Sequence, residues 1–335
     1  MTLIPGDGIG PEITAATLHV LAATGVRFTW DQQVPAGTAV ERRGESAPDP
    51  VVDSIRTTGV ALKGPLATPV GSGHRSINVA LRKAFELYAN IRPVKTIIRG
   101  TCYEDIDLVM VRENTEGLYV GVEHFVTVGD DPRAVAESSA IVTRAGCERI
   151  IRLAFDYALK HGRKLVTVVH KANILKMASG LFLEVGRDVA QQYQGRVAFN
   201  DRIVDNAAMQ LVLHPQQFDV IVTTNMFGDI LSDEMAGLVG GLGLAPGANI
   251  GSRAAIFEAV HGTAPDIAGH GTANPAALML SAAMMLDYLG EMDAAERMKG
   301  VVIRAIRGDE VRTRDLGGDA TTSDFAQHVA KLVRG

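Results

Sequence analysis

Three short, almost wholly apolar runs, Leu108–Val111, Leu165–Val169 and Val220–Val222, each give way to residues with polar chemistry to offer. The first leads into Arg112, the second into His170 and Lys171, and the third into Asn225 and Asp229. Runs of this length without polar alternation suit strands covered on both faces. Segments of helical period lie between them, so the sequence predicts an α/β fold. Open sheets of that class gather ligands outside the carboxyl ends of their strands, which makes those polar residues site candidates. Helices are predicted over Pro11–Thr24, with Ile13, Ala16, Thr17 and Val20 on one side, and over Thr143–His161 and Ser179–Tyr193. The apolar stretch Ala273–Gly290 is broken by Asn274, Ser281 and Asp287. It falls short of the ~20 apolar residues that cross a bilayer and reads as a buried helix with Asn274 as N-cap, Pro275 at its first position and Gly290 at its end.

With 335 residues, 47% of them hydrophobic, the chain can bury a large core in two domains or one large α/β unit. A formal net charge of -5 leaves no global attraction to nucleic acid or an anionic membrane, so neither is an expected partner. Any anionic ligand must be met by a local cluster of cations. Cys102 and Cys147 lack CxxC spacing and no leader-like segment opens the chain, so a cytoplasmic location is expected. The Gly-rich stretch Gly237–Gly251 is the clearest change of texture and a place for the chain to cross between lobes.

The opening Leu3-Ile4-Pro5-Gly6-Asp7-Gly8-Ile9-Gly10-Pro11-Glu12 resembles a dinucleotide fingerprint only superficially. The third glycine of G-x-G-x-x-G would fall at Pro11, and the preceding strand is short. A tight turn into a helix with proline at its first position explains most of the pattern. Asp7 and the glycine backbone are secondary candidates for residues near a cofactor.

After the loop Gly64–Gly71 come Arg75, Ser76, Asn78, Arg82 and Arg92. A helix starting near Ser76 puts Ser76 and Asn78 beside free backbone N–H groups at the positive end of the dipole, an anion site. Guanidinium groups suit carboxylates because they donate two parallel hydrogen bonds. Each residue taken singly is equally a helix cap or a solvated cation. Together with Arg112, the arginines point to a ligand with several carboxylates. Asp229 and Asp233, spaced i, i+4, share one helix face, where like charges cost a few tenths of a kcal/mol. A divalent cation reverses that penalty, and oxygen ligands select Mg²⁺ or Mn²⁺ over zinc. A solvated acidic face gives the same spacing. Asp205 supplies a candidate third carboxylate, with Asp201 at i−4 as the sign of an ordinary helix surface. Lys171, just past a buried run, is a candidate general base, because partial burial and a nearby metal lower a lysine pKa. Tyr119 is a candidate proton donor.

The glycine turn Gly6–Gly10, Arg112-Glu113-Asn114-Thr115-Glu116-Gly117, Asn225-Met226-Phe227-Gly228-Asp229-Ile230-Leu231-Ser232-Asp233 and His261-Gly262-Thr263-Ala264-Pro265 together resemble the isocitrate and isopropylmalate dehydrogenase family of metal-dependent decarboxylating dehydrogenases. The resemblance spans nearly the whole chain. It implies a two-lobed, non-Rossmann α/β fold with the active site in the interlobe cleft, residues 1–92 and 238–335 forming the cofactor-binding lobe and 93–237 the other. It implies Ser76, Asn78, Arg82, Arg92 and Arg112 as substrate contacts, Tyr119 and Lys171 as acid/base groups, and Asp205, Asp229 and Asp233 as ligands of Mg²⁺ or Mn²⁺. Thr68, His261, Gly262, Thr263, Ala264, Asp266, Ile267, Asn274 and Asp315 match the cofactor region. A homodimer with shared sites is implied, Lys171 and Asp205 reaching into the partner's cleft.

Within the family, Ser76 and Asn78 offer hydrogen bonds to a third carboxylate where isopropylmalate enzymes present apolar residues. Isocitrate, a small tricarboxylate, is therefore the expected substrate, with homoisocitrate and 3-isopropylmalate as alternatives; one methylene is worth only ~1–3 kcal/mol of discrimination. Asp266 and Ile267 stand where NADP-using relatives carry Lys and Tyr. A carboxylate accepts from ribose hydroxyls and repels a 2′-phosphate, which favours NAD, although Arg312 and Arg314 could approach such a phosphate. The expected activity is thus NAD-dependent oxidative decarboxylation of isocitrate. A non-catalytic regulatory subunit is the rival from another class, and its sequence should be damaged at Arg92, Tyr119, Lys171 or the aspartates.

Overall fold

The computed structural model describes residues 1–34, 49–67, 76–98, 100–308 and 310–335. Thr68 and Arg75 lie outside the described residues. Contacts divide the chain into two compact units, one of residues 1–87, 92–106 and 236–335, the other of 88–91 and 107–235. Residues 93–106, which the resemblance implied would open the second lobe, belong to the first unit. There Thr96 N donates to Ile106 O at 2.9 Å, and Arg307 Nε donates to Ile97 O at 3.1 Å.

The first unit carries strands β1 (Thr2–Ile4), β2 (Asp31–Gln32) and β3 (Val60–Lys63), the end of β4 (Ala89–Lys95), and β11 (Pro246–Ile250) and β12 (Ala255–Ala259). Its strand order runs β2-β1-β3-β12-β11, parallel except for the β11–β12 pair. Its helices are α1 (Gly10–Ala23), α2 (Asp49–Thr58), α3 (Ile77–Ala84), α8 (Ala276–Tyr288), α9 (Met292–Arg307) and α10 (Thr322–Arg334). The expected buried helix is present as α8, which is apolar all round as an interior helix must be. Asn274 Oδ1 caps it by accepting from Ala276 N at 2.9 Å. α1 starts with proline in its first turn and buries Ile13, Ala16, Thr17 and Val20. It packs on α8 and α10, sharing a core with Phe257 and Phe325. Burial of such side chains supplies roughly 2–3 kcal/mol each.

The second unit holds the start of β4, then β5 (Asp107–Glu113), β6 (Gly117–Val128), β7 (Asp131–Ile141), β8 (Leu165–His170), β9 (Ala198–Ile203) and β10 (Val220–Thr223). Its helices are α4 (Arg144–Lys160), α5 (Ala178–Gln192), α6 (Val204–Leu213) and most of α7 (Asn225–Leu238). The order β5-β10-β8-β9 is parallel throughout, and α4 and α5 pack on one another and on the sheet. All three apolar runs are strands of this sheet, as their lack of alternation predicts. β6 and β7 form a separate two-stranded antiparallel ribbon that leaves Val122, Phe125, Val128 and Val135 exposed. The α/β class is met.

Candidate active site

Because β5, β8, β9 and β10 run parallel, their carboxyl ends fall on one side of the second unit's sheet. Arg112 and Glu113 close β5, Lys171 follows β8, Asp205 lies just past β9, and Asn225 to Asp229 follow β10. The chain therefore delivers the chemistry-bearing residues where an open α/β sheet presents ligands.

Arg112 is the centre of one cluster, with a side chain only 1% exposed. Its Nε and Nη2 both donate to Asn225 Oδ1, at 3.0 and 2.8 Å, and its Nη1 pairs with Asp229. Tyr119 OH donates to the other oxygen of Asp229 at 2.5 Å, and the Arg112 guanidinium stands 5.3 Å from the Tyr119 ring centroid. The structure thus brings Arg112, Tyr119 and Asp229 together from three elements. Gly228 makes this possible: a Cβ there would lie 2.6 Å from Arg112 Cγ. Asp233 follows one turn after Asp229 on α7, as the spacing predicts, and is exposed.

Lys171 and Asp205 form a second cluster, an ion pair whose side chains are 26% and 67% exposed. The hydrogen bond from Lys171 holds the Asp205 carboxyl below its ordinary pKa. Main-chain bonds fix the lysine's place, with Lys171 N donating to Ser179 Oγ at 3.0 Å and Ala172 N to His170 Nδ1 at 3.0 Å. Asp201 is not a helical neighbour of Asp205 as its spacing suggested. It lies on β9, where it meets His170 at 3.3 Å and Arg187 at 3.2 Å, and α6 begins only at Val204.

In the first unit, Ser76 is the N-cap residue of α3 and Asn78 stands in its first turn, as expected. Asn78 Oδ1 and Arg82 Nε are buried without a hydrogen-bond partner among the described residues. Arg82 lies 3.9 Å from Glu258, which pairs with buried Lys63 and accepts from Asn249 Nδ2 at 2.6 Å. Burial alone would raise the Glu258 carboxyl. The charges of Lys63 and Arg82, with hydrogen bonds from Lys63 and Asn249, reverse this and hold it down to about 2. Arg92 is also buried.

Among the residues matched to the cofactor region, Asn274 Nδ2 donates to Asp315 Oδ2 at 2.9 Å. Ala264 holds a left-handed φ of 41° ahead of the short 3₁₀ turn Pro265–Ile267, where Asp266 and Ile267 are exposed. His261 Nδ1 lies 3.0 Å from Gly262 O, and its Nε2 is buried without a partner among the described residues. Burial pushes the imidazole below its usual pKa and, with the Lys63 charge, outweighs the Gly262 bond and the nearby carboxylates. An orphaned neutral nitrogen of this kind fits a ligand that donates a hydrogen bond. Arg312 Nε donates to Gly308 O at 3.1 Å.

The glycine turn braces this region. Ile9 N donates to Thr263 O at 3.0 Å, and a Cβ on Gly8, whose φ is +58°, would meet that same oxygen at 2.1 Å. Glu12, unflagged by its sequence context, accepts from Gly271 N at 3.0 Å and Ala273 N at 3.3 Å.

Sequence reasoning also missed roles for Glu113, Glu116, Lys63 and Glu258. The Glu113 carboxylate collects Thr115 N, Thr115 Oγ1 and Glu116 N at 2.7 to 3.0 Å, and its burial raises its pKa despite those donors. Glu116 accepts from Thr143 N at 2.9 Å and Thr143 Oγ1 at 2.5 Å at the start of α4, where a negative charge meets the helix dipole. The signal for these was their density in one motif; their partners were not legible.

The three aspartates offer hard oxygen donors, a set that fits Mg²⁺ or Mn²⁺ rather than zinc. Among the described residues no three His, Cys, Asp or Glu side chains of one chain are grouped to hold an ion.

Buried cations, carboxylates and proton-transfer groups at the strand ends of an α/β sheet define the class, an enzyme. Residues 1–329 match the isocitrate/isopropylmalate dehydrogenase family, and the chain belongs to it. It is 46% identical over 339 aligned positions to a Drosophila melanogaster protein named as a probable alpha subunit of mitochondrial NAD isocitrate dehydrogenase, covering 99% of this chain and 87% of that one. A Dictyostelium discoideum relative, 46% identical with 99% and 91% covered, is named as a regulatory subunit of the mitochondrial NAD enzyme. The crystal structure of isocitrate dehydrogenase from Methylococcus capsulatus superposes with a TM-score of 0.95 at 55% identity, covering 100% of this chain and 99% of that one. The expectation of an NAD-dependent isocitrate dehydrogenase, an oxidoreductase, agrees with these names. The cytoplasmic expectation does not stand, because the Drosophila and Dictyostelium relatives are named as mitochondrial. Free thiols do not separate one reducing compartment from another, which is why cysteine usage misled. Among the described residues no helix is long and apolar enough to cross a membrane.

Proposed function

We propose that the chain catalyses the oxidative decarboxylation of isocitrate to 2-oxoglutarate with reduction of NAD. The observation that carries this reading is the convergence of Asp229 and Tyr119 on the buried Arg112, which unites an anion-binding cation, a metal-type carboxylate and a proton donor. Arg82, Arg92 and Arg112 grip substrate carboxylates, and Ser76 and Asn78 hydrogen-bond the third, which an isopropylmalate would lack. Lys171 takes the proton of the 2-hydroxyl, and Tyr119 delivers one to the carbon that loses CO₂. Asp205, Asp229 and Asp233 would hold Mg²⁺ or Mn²⁺, which acidifies the hydroxyl and stabilises the charge left by decarboxylation. NAD, when bound at His261–Asp266, Ile267, Asn274 and Asp315, accepts the hydride. The partnerless His261 Nε2 and exposed Asp266 support that placement.

Assembly as a homodimer with shared sites is part of the reading. Asp205 and Lys171 meet each other within one chain, and Met209, Val212 and Leu213 on α6 are exposed beside Asp205. The β6–β7 ribbon has the apolar exposure of a strand pair that needs a cover.

The test is a rate matrix of isocitrate, homoisocitrate, 3-isopropylmalate and tartrate against NAD and NADP, with Mg²⁺ or Mn²⁺. Isocitrate with NAD is expected to be fastest by at least tenfold, and chelation to abolish turnover. A purified chain that reduces neither dinucleotide with any of these acids would establish the regulatory reading, which the name of the Dictyostelium relative motivates.

A further inference from the structure

Asn225 takes no part in the chemistry proposed above, yet it is wholly buried and both ends of its amide are spent. Its Oδ1 receives two N–H bonds from Arg112, and its Nδ2 donates to Glu116 O at 3.2 Å, in the loop just before Tyr119. It is the first residue of α7, so this single amide ties the helix that bears Asp229 to the end of β5 and to the loop leading into β6.

The choice of an amide has an electrostatic consequence. Two N–H bonds converging on one oxygen fix the plane of the Arg112 guanidinium. A carboxylate would also neutralise it, and Asp229 already places one negative charge on Nη1. A neutral acceptor orients the cation without adding a second negative charge to the one Asp229 already brings.

We infer that Asn225 is a positioning residue for substrate affinity, holding the Arg112 guanidinium in place without setting a second negative charge beside Asp229 against the incoming acid. This rests on the reading of Arg112 as a contact for a substrate carboxylate.

The test compares Asn225→Asp with Asn225→Ser, measuring KM for isocitrate, KM for NAD, kcat and melting temperature. Aspartate keeps the shape and the acceptor for Arg112, and both variants lose the Nδ2 bond to Glu116 O, so a merely structural role predicts an isocitrate KM for N225D no higher than that for N225S. The inference predicts the opposite order for the acid. N225D is expected to raise the isocitrate KM tenfold or more, N225S about threefold, with the NAD KM within twofold for both. An isocitrate KM for N225D at or below that of N225S overturns the inference. If N225D does not fold, N225S decides: a rise of about threefold confined to the acid supports it, and an unchanged KM overturns it. Failure of the underlying reading is separate, since the wild-type chain would then show no isocitrate-dependent NAD reduction at all.

Discussion

Lys63 and Glu258 stand opposite one another across the parallel β3–β12 pair and close into a buried ion pair, to which Arg82 brings a second positive charge at 3.9 Å. Glu258→Gln removes the counter-charge but leaves Lys63 in the interior. Breaking a buried pair from one side costs about 3–5 kcal/mol, read as a lower urea midpoint. The acid limb gives a second check. The Glu258 carboxyl sits at about 2 in the folded chain against about 4.3 in an unfolded one. Between those values the unfolded state binds the extra proton. The pair's stabilisation is therefore complete above about pH 4.3 and fades as pH falls toward 2. Over that window the wild type is expected to lose stability more steeply than E258Q.

Lys171→Met retains bulk and removes the base. Turnover with isocitrate is expected to fall 10²–10⁴-fold, the usual contribution of a positioned proton-transfer group, while NAD binding followed by fluorescence stays within twofold. Near-normal turnover would remove Lys171 from the mechanism.

Gly228→Ala puts a methyl 2.6 Å from Arg112 Cγ. Either the guanidinium or α7 must move, an overpacking cost of typically ~1–3 kcal/mol. The expected signature is a rise of at least fivefold in the isocitrate KM together with a lower melting temperature, because the displaced group is the proposed anion contact.

Thr143→Ala deletes the N-cap of α4, where Thr143 Oγ1 accepts from Gly146 N at 3.0 Å and meets the Glu116 carboxylate. A loss of about 1 kcal/mol is expected from denaturant curves. An unchanged midpoint would mean that Glu116 alone satisfies the helix start.

What was legible in the sequence was local. Leu108–Val111 reads as a strand because both its faces are apolar, Asn274 reads as a cap because proline follows it, and Asp229 and Asp233 share a face because one helical turn separates them. The family resemblance added the roles. What stayed hidden joins residues far apart in the chain, as Arg112 does with Asn225 113 positions on, since only strand order brings them together. Nothing in the sequence singles out Glu258, because only the β3–β12 register brings Lys63 opposite it. Asp201 misled for a related reason: an i−4 interval carries helical meaning only if both residues lie in one helix, and a strand ends between them.

The grip of Glu12 on Gly271 and Ala273, and the packing of α1 on α10, bear on how the molecule is made. At synthesis rates of about 5–20 residues per second, α10 leaves the ribosome roughly 15–60 s after α1. Throughout that interval the face that Ile13, Val20 and Leu21 share lacks its α10 neighbours and remains open to chaperone capture. The nearly continuous stretch from residue 107 to 235, by contrast, has all its own strands in hand long before translation stops.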